Sequence, residues 1–270
     1  MAYATILYEP DERDSFVTIT LNRPDKLNAL NDVLLDELDA AVKRAAADTQ
    51  VNAIVLTGAG RAFSTGYDLG AENFEMELEA WRDNIAANAR RMYAIWSAPL
   101  PIVAAVNGYA LAGGLELAMA CDLAIAAEEA RLGEPEVRHA SAPPTLMMPW
   151  TVPIRHTRHL MYTGDMISGT EAARIHLVNK AVPAAELMAE ARRLAAKLAR
   201  VPVPAIKFNK AAINNALLLA GLHNSWLFNA ETTAALHCTE QGRAWMRRLY
   251  EQGLAEFLRA REAPFEDLDS

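Results

Sequence analysis

The 270-residue sequence is poor in cysteine, in aromatic residues and in positive charge. Its two cysteines, Cys121 and Cys238, cannot build a disulfide framework, and neither lies in a CxxC pair or a Cys/His cluster of zinc spacing. They read as apolar thiols kept reduced. Lysine and arginine number 26 against 34 aspartates and glutamates, a net charge of -8. No broad positive field exists to neutralise a phosphate backbone, so nucleic acid is not an expected partner. The most apolar stretch, 101–127, is interrupted by Asn107, Glu116 and Asp122, short of the roughly 20 apolar residues of a membrane span. No membrane segment is expected. Residues 1–10 lack a basic head followed by an apolar block, so no export leader is expected either, and the expected location is the cytoplasm.

Several chemical signatures are missing too. Gly58-Ala59-Gly60 has no third glycine for a dinucleotide loop, because position 63 is Phe63. The triphosphate loop G-x-x-x-x-G-K-[ST] does not occur. Ser64 lacks the preceding glycine of a nucleophile elbow, since position 62 is Ala62. His156 and His159 have no accompanying carboxylate, and no metal site is expected.

What is present is a globular composition, 52% hydrophobic and 22% charged, in a chain long enough to bury its own core. Residues 17–21 alternate as a half-buried strand does and stop at Pro24. From Asn31, apolar residues at Leu34, Leu35, Leu38, Val42 and Ala45 recur at helical spacing. Short buried strands follow at 53–57, 102–106 and 123–126, with helical patterns at 76–97 and after Gly113-Gly114. Buried strands interleaved with helices imply an α/β fold with a largely parallel sheet. After Pro183 the pattern is helical only, which divides the chain into a core at 1–183 and a helical region at 184–270 whose apolar faces must pack on the core or on a sister subunit.

Two glycine-containing turns follow two of these strands, 60–69 and 107–114. Glycine lets backbone approach a ligand closely and leaves amide hydrogens uncovered, so such turns can aim two N–H donors at one oxygen. The stretch Asn107-Gly-Tyr-Ala-Leu-Ala-Gly-Gly-Leu-Glu-Leu-Ala-Met-Ala-Cys-Asp122 resembles the signature of the crotonase (enoyl-CoA hydratase/isomerase) superfamily. Leu21-Asn-Arg-Pro-Asp-Lys-Leu-Asn-Ala-Leu30, Gly60-Arg-Ala-Phe-Ser-Thr-Gly-Tyr-Asp-Leu69 and Leu132-Gly-Glu-Pro-Glu136 extend the likeness in the family's order and spacing.

The resemblance implies a spiral of ββα turns followed by a C-terminal helical region that mediates trimers, often paired into hexamers. It also implies an acyl-CoA substrate, with coenzyme A as part of that substrate and no separate cofactor. The implied oxyanion-hole donors are the backbone N–H groups of Tyr67 and Gly113. The implied catalytic pair is Glu116 and Glu136, and Lys26, Leu27, Ala29 and Asp68 fall in the coenzyme A contact region. The implied reaction is reversible hydration of an enoyl-CoA thioester. Hydration needs a base for the water that attacks C3 and an acid for C2, which two carboxyls supply. In an extended segment Glu134 and Glu136 would point to opposite sides, and the family register selects Glu136.

The sequence departs from the family after Glu136. A glycine-rich turn of the type Gly-x-x-Pro-Gly-x-Gly-Gly gives way to Ala140-Ser-Ala-Pro-Pro-Thr145, and Pro144 has no N–H to offer. Ala112 replaces the first glycine of the usual triplet. Met147, Met148 and Trp150 either line an acyl pocket or begin a buried helix. These departures keep two alternatives open: another acyl-CoA reaction of the superfamily, such as double-bond isomerisation or hydratase-lyase cleavage, and a non-catalytic acyl-CoA-binding protein.

Overall fold

A computed structural model describes residues 3–70 and 76–268. Strands β1 (Ile6–Asp11) and β2 (Phe16–Leu21) form an antiparallel hairpin. Helix α1 (Asp32–Ala47) begins where the Asn31 side chain accepts a hydrogen bond from the Leu34 N–H, and it buries Leu34, Leu35, Leu38 and Val42, the stripe read from the sequence.

The chain then repeats one unit. Strand β3 (Ala53–Gly58) leads to the short strand β4 (Ala62–Ser64) and helix α2 (Leu78–Trp96). Strand β5 (Ile102–Val106) leads to β6 (Tyr109–Leu111) and α3 (Gly113–Ala120). Strand β7 (Leu123–Ala127) leads to β8 (Arg131–Gly133), followed by a 3-10 turn over Pro135–His139. In each unit the first strand joins one sheet and the second strand another. The larger sheet has the order β1-β2-β3-β5-β7-β10 and the smaller β4-β6-β8-β9, where β9 is Met166–Ser168 and β10 is Lys180–Val182. All pairings among β2, β3, β5, β7 and β10 are parallel, as are β4·β6 and β6·β8. The result is a spiral of ββα turns. Strand residues such as Val55, Val103, Ala104 and Ala126 are wholly buried, as parallel sheets covered on both faces require.

Between β8 and β10 lie α4 (Met148–Thr151), α5 (Ile154–Thr163) and α6 (Gly169–Arg174). Met147 and Met148 are buried in the main core, and Met148 begins α4. Helix α7 (Ala184–Ala199) packs on β3, β5 and β7 and so covers the larger sheet. Helices α8 (Val203–Leu219), α9 (Leu222–His237) and α10 (Glu240–Glu262) complete the chain. Helix α8 is tied to the sheet by Lys210, whose Nζ lies 2.7 Å from Asp122 Oδ2 and 3.0 Å from the Leu100 carbonyl. After a break at Pro202 and Pro204 the periodicity of the tail reads as helix to Arg261, but α10 is interrupted at Gly253, whose φ of 79° and ψ of 167° are non-helical. That break turns its last part back over the 135–139 turn, where Phe257 meets the His139 ring edge-on at 5.0 Å.

Candidate active site

The site is assembled from the ends of the second strands. The segment after β4 is stitched to the 27–30 loop: the Leu30 N–H donates to the Gly66 carbonyl, the Asp68 N–H to the Leu30 carbonyl, and the Ser64 hydroxyl to the Asn28 carbonyl. These bonds fix the backbone on both sides of Tyr67. Gly66 has φ of +92°, and a Cβ there would lie 2.9 Å from Ala112 Cβ and 3.2 Å from the Gly113 nitrogen, so only glycine allows the two turns to touch. The Tyr67 ring lies over Gly113, where an added methyl would come within 2.7 Å of Cε2. Gly113 opens α3, and its N–H has no intrahelical partner by position. Tyr67 and Gly113 are therefore neighbours in space although 46 residues apart in the chain.

Glu116 lies in the first turn of α3 and is 1% exposed. Its Oε1 accepts two hydrogen bonds from Thr145, from the N–H at 2.7 Å and the hydroxyl at 2.7 Å. Its Oε2 has no hydrogen-bond partner among the described residues. Burial pushes the Glu116 carboxyl up to about 8; the Thr145 hydroxyl pulls the other way, and the charge of Glu136 adds to the rise. Glu136, 7% exposed, is also raised, chiefly by burial, and its Oε2 is likewise unpartnered among the described residues. The structure thus brings Glu116 and Glu136 into one buried, electrostatically linked cluster.

Glu134 belongs to that cluster, contrary to the expectation from an extended segment. The backbone turns at Glu134 (φ -119°, ψ 62°) into the 3-10 helix, so residues two apart no longer face opposite ways. Glu134 is 0% exposed, and burial together with the carboxyls of Glu136 and Glu116 holds its proton well above the ordinary carboxylate range.

Of the coenzyme A region, Lys26 is exposed at the end of a 3-10 turn and Leu27 follows with φ of 49°. Asp68 is ion-paired at 2.8 Å to Arg23, which also donates to the Ala29 carbonyl at 2.5 Å. Asn28 is wholly buried and donates to the carbonyls of Ala59 and Ala62, fastening this loop to β4. Sequence reasoning passed over Thr145 and Arg23, and it set Glu134 facing away from the site. Thr145 had one available signal, as the first residue after Pro143-Pro144 with an N–H to give.

Around the cluster, His139 is buried and pushed down to about 3, mainly by loss of hydration. His237 is pushed down to about 4 for the same reason, and its Nε2 lies 3.0 Å from Ser141 Oγ. Buried Arg138 pairs with Asp165 at 2.9 Å and Glu262 at 2.7 Å and stacks on Phe265. No group of three or more metal-ligating side chains is suited to a metal among the described residues, and no described helix is long and apolar enough to cross a membrane.

A ββα spiral with an acidic pair beside two touching glycine turns defines the crotonase superfamily. The chain belongs to the enoyl-CoA hydratase/isomerase family, whose model matches residues 11–268. It is 37% identical over 98% of its length to a probable enoyl-CoA hydratase of Rhizobium meliloti, 99% of which is covered. It is 33% identical to the crotonyl-CoA hydratase of Syntrophomonas wolfei, with 98% and 99% of the two chains covered. The crystal structure of an enoyl-CoA hydratase/isomerase from Xanthobacter autotrophicus superposes with a TM-score of 0.92 at 34% identity, covering 98% of this chain and 99% of that one.

Proposed function

We propose that the protein is an enoyl-CoA hydratase that adds water reversibly across the C2–C3 double bond of an enoyl-CoA thioester. The observation that carries this reading is the buried pair Glu116 and Glu136, each with one carboxylate oxygen unpartnered among the described residues. Those two oxygens are available to hold one water. Relatives at 33–37% identity over nearly the whole chain, named enoyl-CoA hydratases, support the same reading.

In this mechanism the backbone N–H groups of Tyr67 and Gly113 bind the thioester oxygen, and negative charge grows there as water attacks C3. Glu116 takes the water proton, helped by the positive end of α3 and by Thr145. Glu136 delivers a proton to C2 as the carbonyl reforms. Transfer of the gained proton from Glu116 to Glu136 resets the site. Lys26, Leu27 and Ala29 on one loop, and Asp68 on the segment after β4, are the proposed coenzyme A contacts, with Lys26 as the phosphate partner. No cofactor beyond the substrate's own coenzyme A is needed, the working location is the cytoplasm, and the oligomer is a trimer or a hexamer formed through the 184–270 region.

The test is loss of the conjugated-thioester absorbance on addition of crotonyl-CoA to the protein. The expected outcome is turnover by the wild type and a fall of at least about 100-fold in Glu136→Gln. A fully active Glu136→Gln overturns the assignment.

A further inference from the structure

The hydratase reading uses two carboxyls, and the fold buries a third beside them. Glu134 follows Gly133, whose carbonyl accepts the Ala112 N–H at 3.0 Å, so it is anchored one residue from the turn that opens α3. Neither of its oxygens has a hydrogen bond of ordinary geometry among the described residues, although both are shielded from solvent. A carboxylate in that position would be a bare buried charge with no cation and no amide to stabilise it, which is far costlier than keeping the proton. The neutral acid has one hydrogen to give, and an ionised Glu136 two residues along is the acceptor that gains most from it.

The other charged and titratable groups around the pair are accounted for. Glu116 faces it from α3 and is held by Thr145. Arg261 acts on Glu136 and His139 from α10, and it is paired with Glu262. Arg138 is engaged by Asp165 and Glu262, and His159 of α5 by Asp165. His139 and His237 stay neutral through the physiological range.

We propose that Glu134 is a positioning residue that remains protonated through the catalytic cycle and donates a hydrogen bond to the Glu136 carboxyl, holding it toward C2 and easing its loss of a proton. This rests on the hydratase reading for its kinetic consequence but not for its protonation state. Glu134 does not touch substrate; it acts through Glu136.

Two variants separate the idea from a simple packing role. Glu134→Gln keeps a neutral donor of the same shape, whereas Glu134→Leu keeps the volume and removes the donor. In Glu134→Leu, kcat for crotonyl-CoA hydration falls about tenfold or more with KM nearly unchanged. The alkaline limb of its pH profile moves up by about one unit, because the Glu136 anion has lost a stabilising bond. In Glu134→Gln both kcat and the limb stay close to wild type. Infrared spectra of the free enzyme provide a readout without turnover: a protonated-carboxyl carbonyl band persists after Glu116 has titrated near 8 and is absent from Glu134→Gln. Equal damage in the two variants, an unmoved limb in Glu134→Leu, or no persistent band overturns the proposal. A wild type that leaves crotonyl-CoA untouched would instead sink the hydratase reading, and the infrared band would still decide Glu134.

Discussion

At the scale of the residue, the proposed chemistry rests on carboxyls whose protons are held chiefly by burial. Glu116 as the proposed base must ionise, so kcat/KM for hydration is expected to rise with pH as its carboxyl, pushed up to about 8, gives up its proton. A pH–rate profile between pH 6 and 10 would check this (about four units, enough to bracket the rise). Thr145 is the residue that compensates for Pro144. Its hydroxyl favours the Glu116 anion, so Thr145→Val, which retains the N–H, should move the rising limb to higher pH and lower kcat/KM near neutrality several-fold. An unchanged rising limb would mean that the hydroxyl bond does not set the base.

At the scale of the element, two features can be tested by stability. Ala112 precedes α3 with φ of 52° and ψ of -130°, a conformation that glycine occupies far more easily. The strain is about 1–3 kcal/mol and the entropic cost of glycine about 0.5–1 kcal/mol, so Ala112→Gly should stabilise the protein by about 1 kcal/mol. Denaturant titration would register this as a higher midpoint. The second feature is the tie between α8 and the sheet. Lys210→Met leaves Asp122 largely buried with backbone N–H groups as its remaining partners among the described residues and should cost about 3 kcal/mol. Adding Asp122→Asn should recover part of that loss, and strict additivity of the two changes would argue against direct coupling.

At the scale of the whole molecule, the C-terminal helices bury one face and expose another. Phe208 and Ile213 on α8, and Leu227 and Phe228 on α9, are exposed large apolar residues close in sequence, consistent with the subunit contact proposed for this region. Phe208→Glu combined with Phe228→Glu is expected to reduce the mass measured by light scattering toward that of a single chain. Acid sensitivity is a second whole-molecule property. His139 and His237 are neutral in the fold with depressed affinity for protons, whereas the unfolded chain binds them below about 6.5. Their contribution is present above 6.5 and is lost as pH falls toward about 4 and then 3. Thermal unfolding across that window should therefore steepen toward acid, and His139→Leu should flatten it.

The sequence by itself determined the α/β alternation, the apolar stripe of α1, the buried strands β3, β5 and β7, and the helical tail, because each is a local periodicity that hydrophobic burial enforces. The motif register also marked the turns around Tyr67 and Gly113 and singled out Glu116 and Glu136. Only the tertiary structure decided the rest. Strands β4, β6, β8 and β9 are three residues each and too short to carry a period, so their pairing comes from the sheet they join. The hydrogen bonds from Thr145 to Glu116 span 29 positions, and the return of α10 over the 135–139 turn follows from one backbone break at Gly253. The burial of Glu134 beside Glu136 depended on a helical turn where local pattern suggested extension. Proton affinities of buried acids are set by what surrounds them in space, and chain order does not record those neighbours.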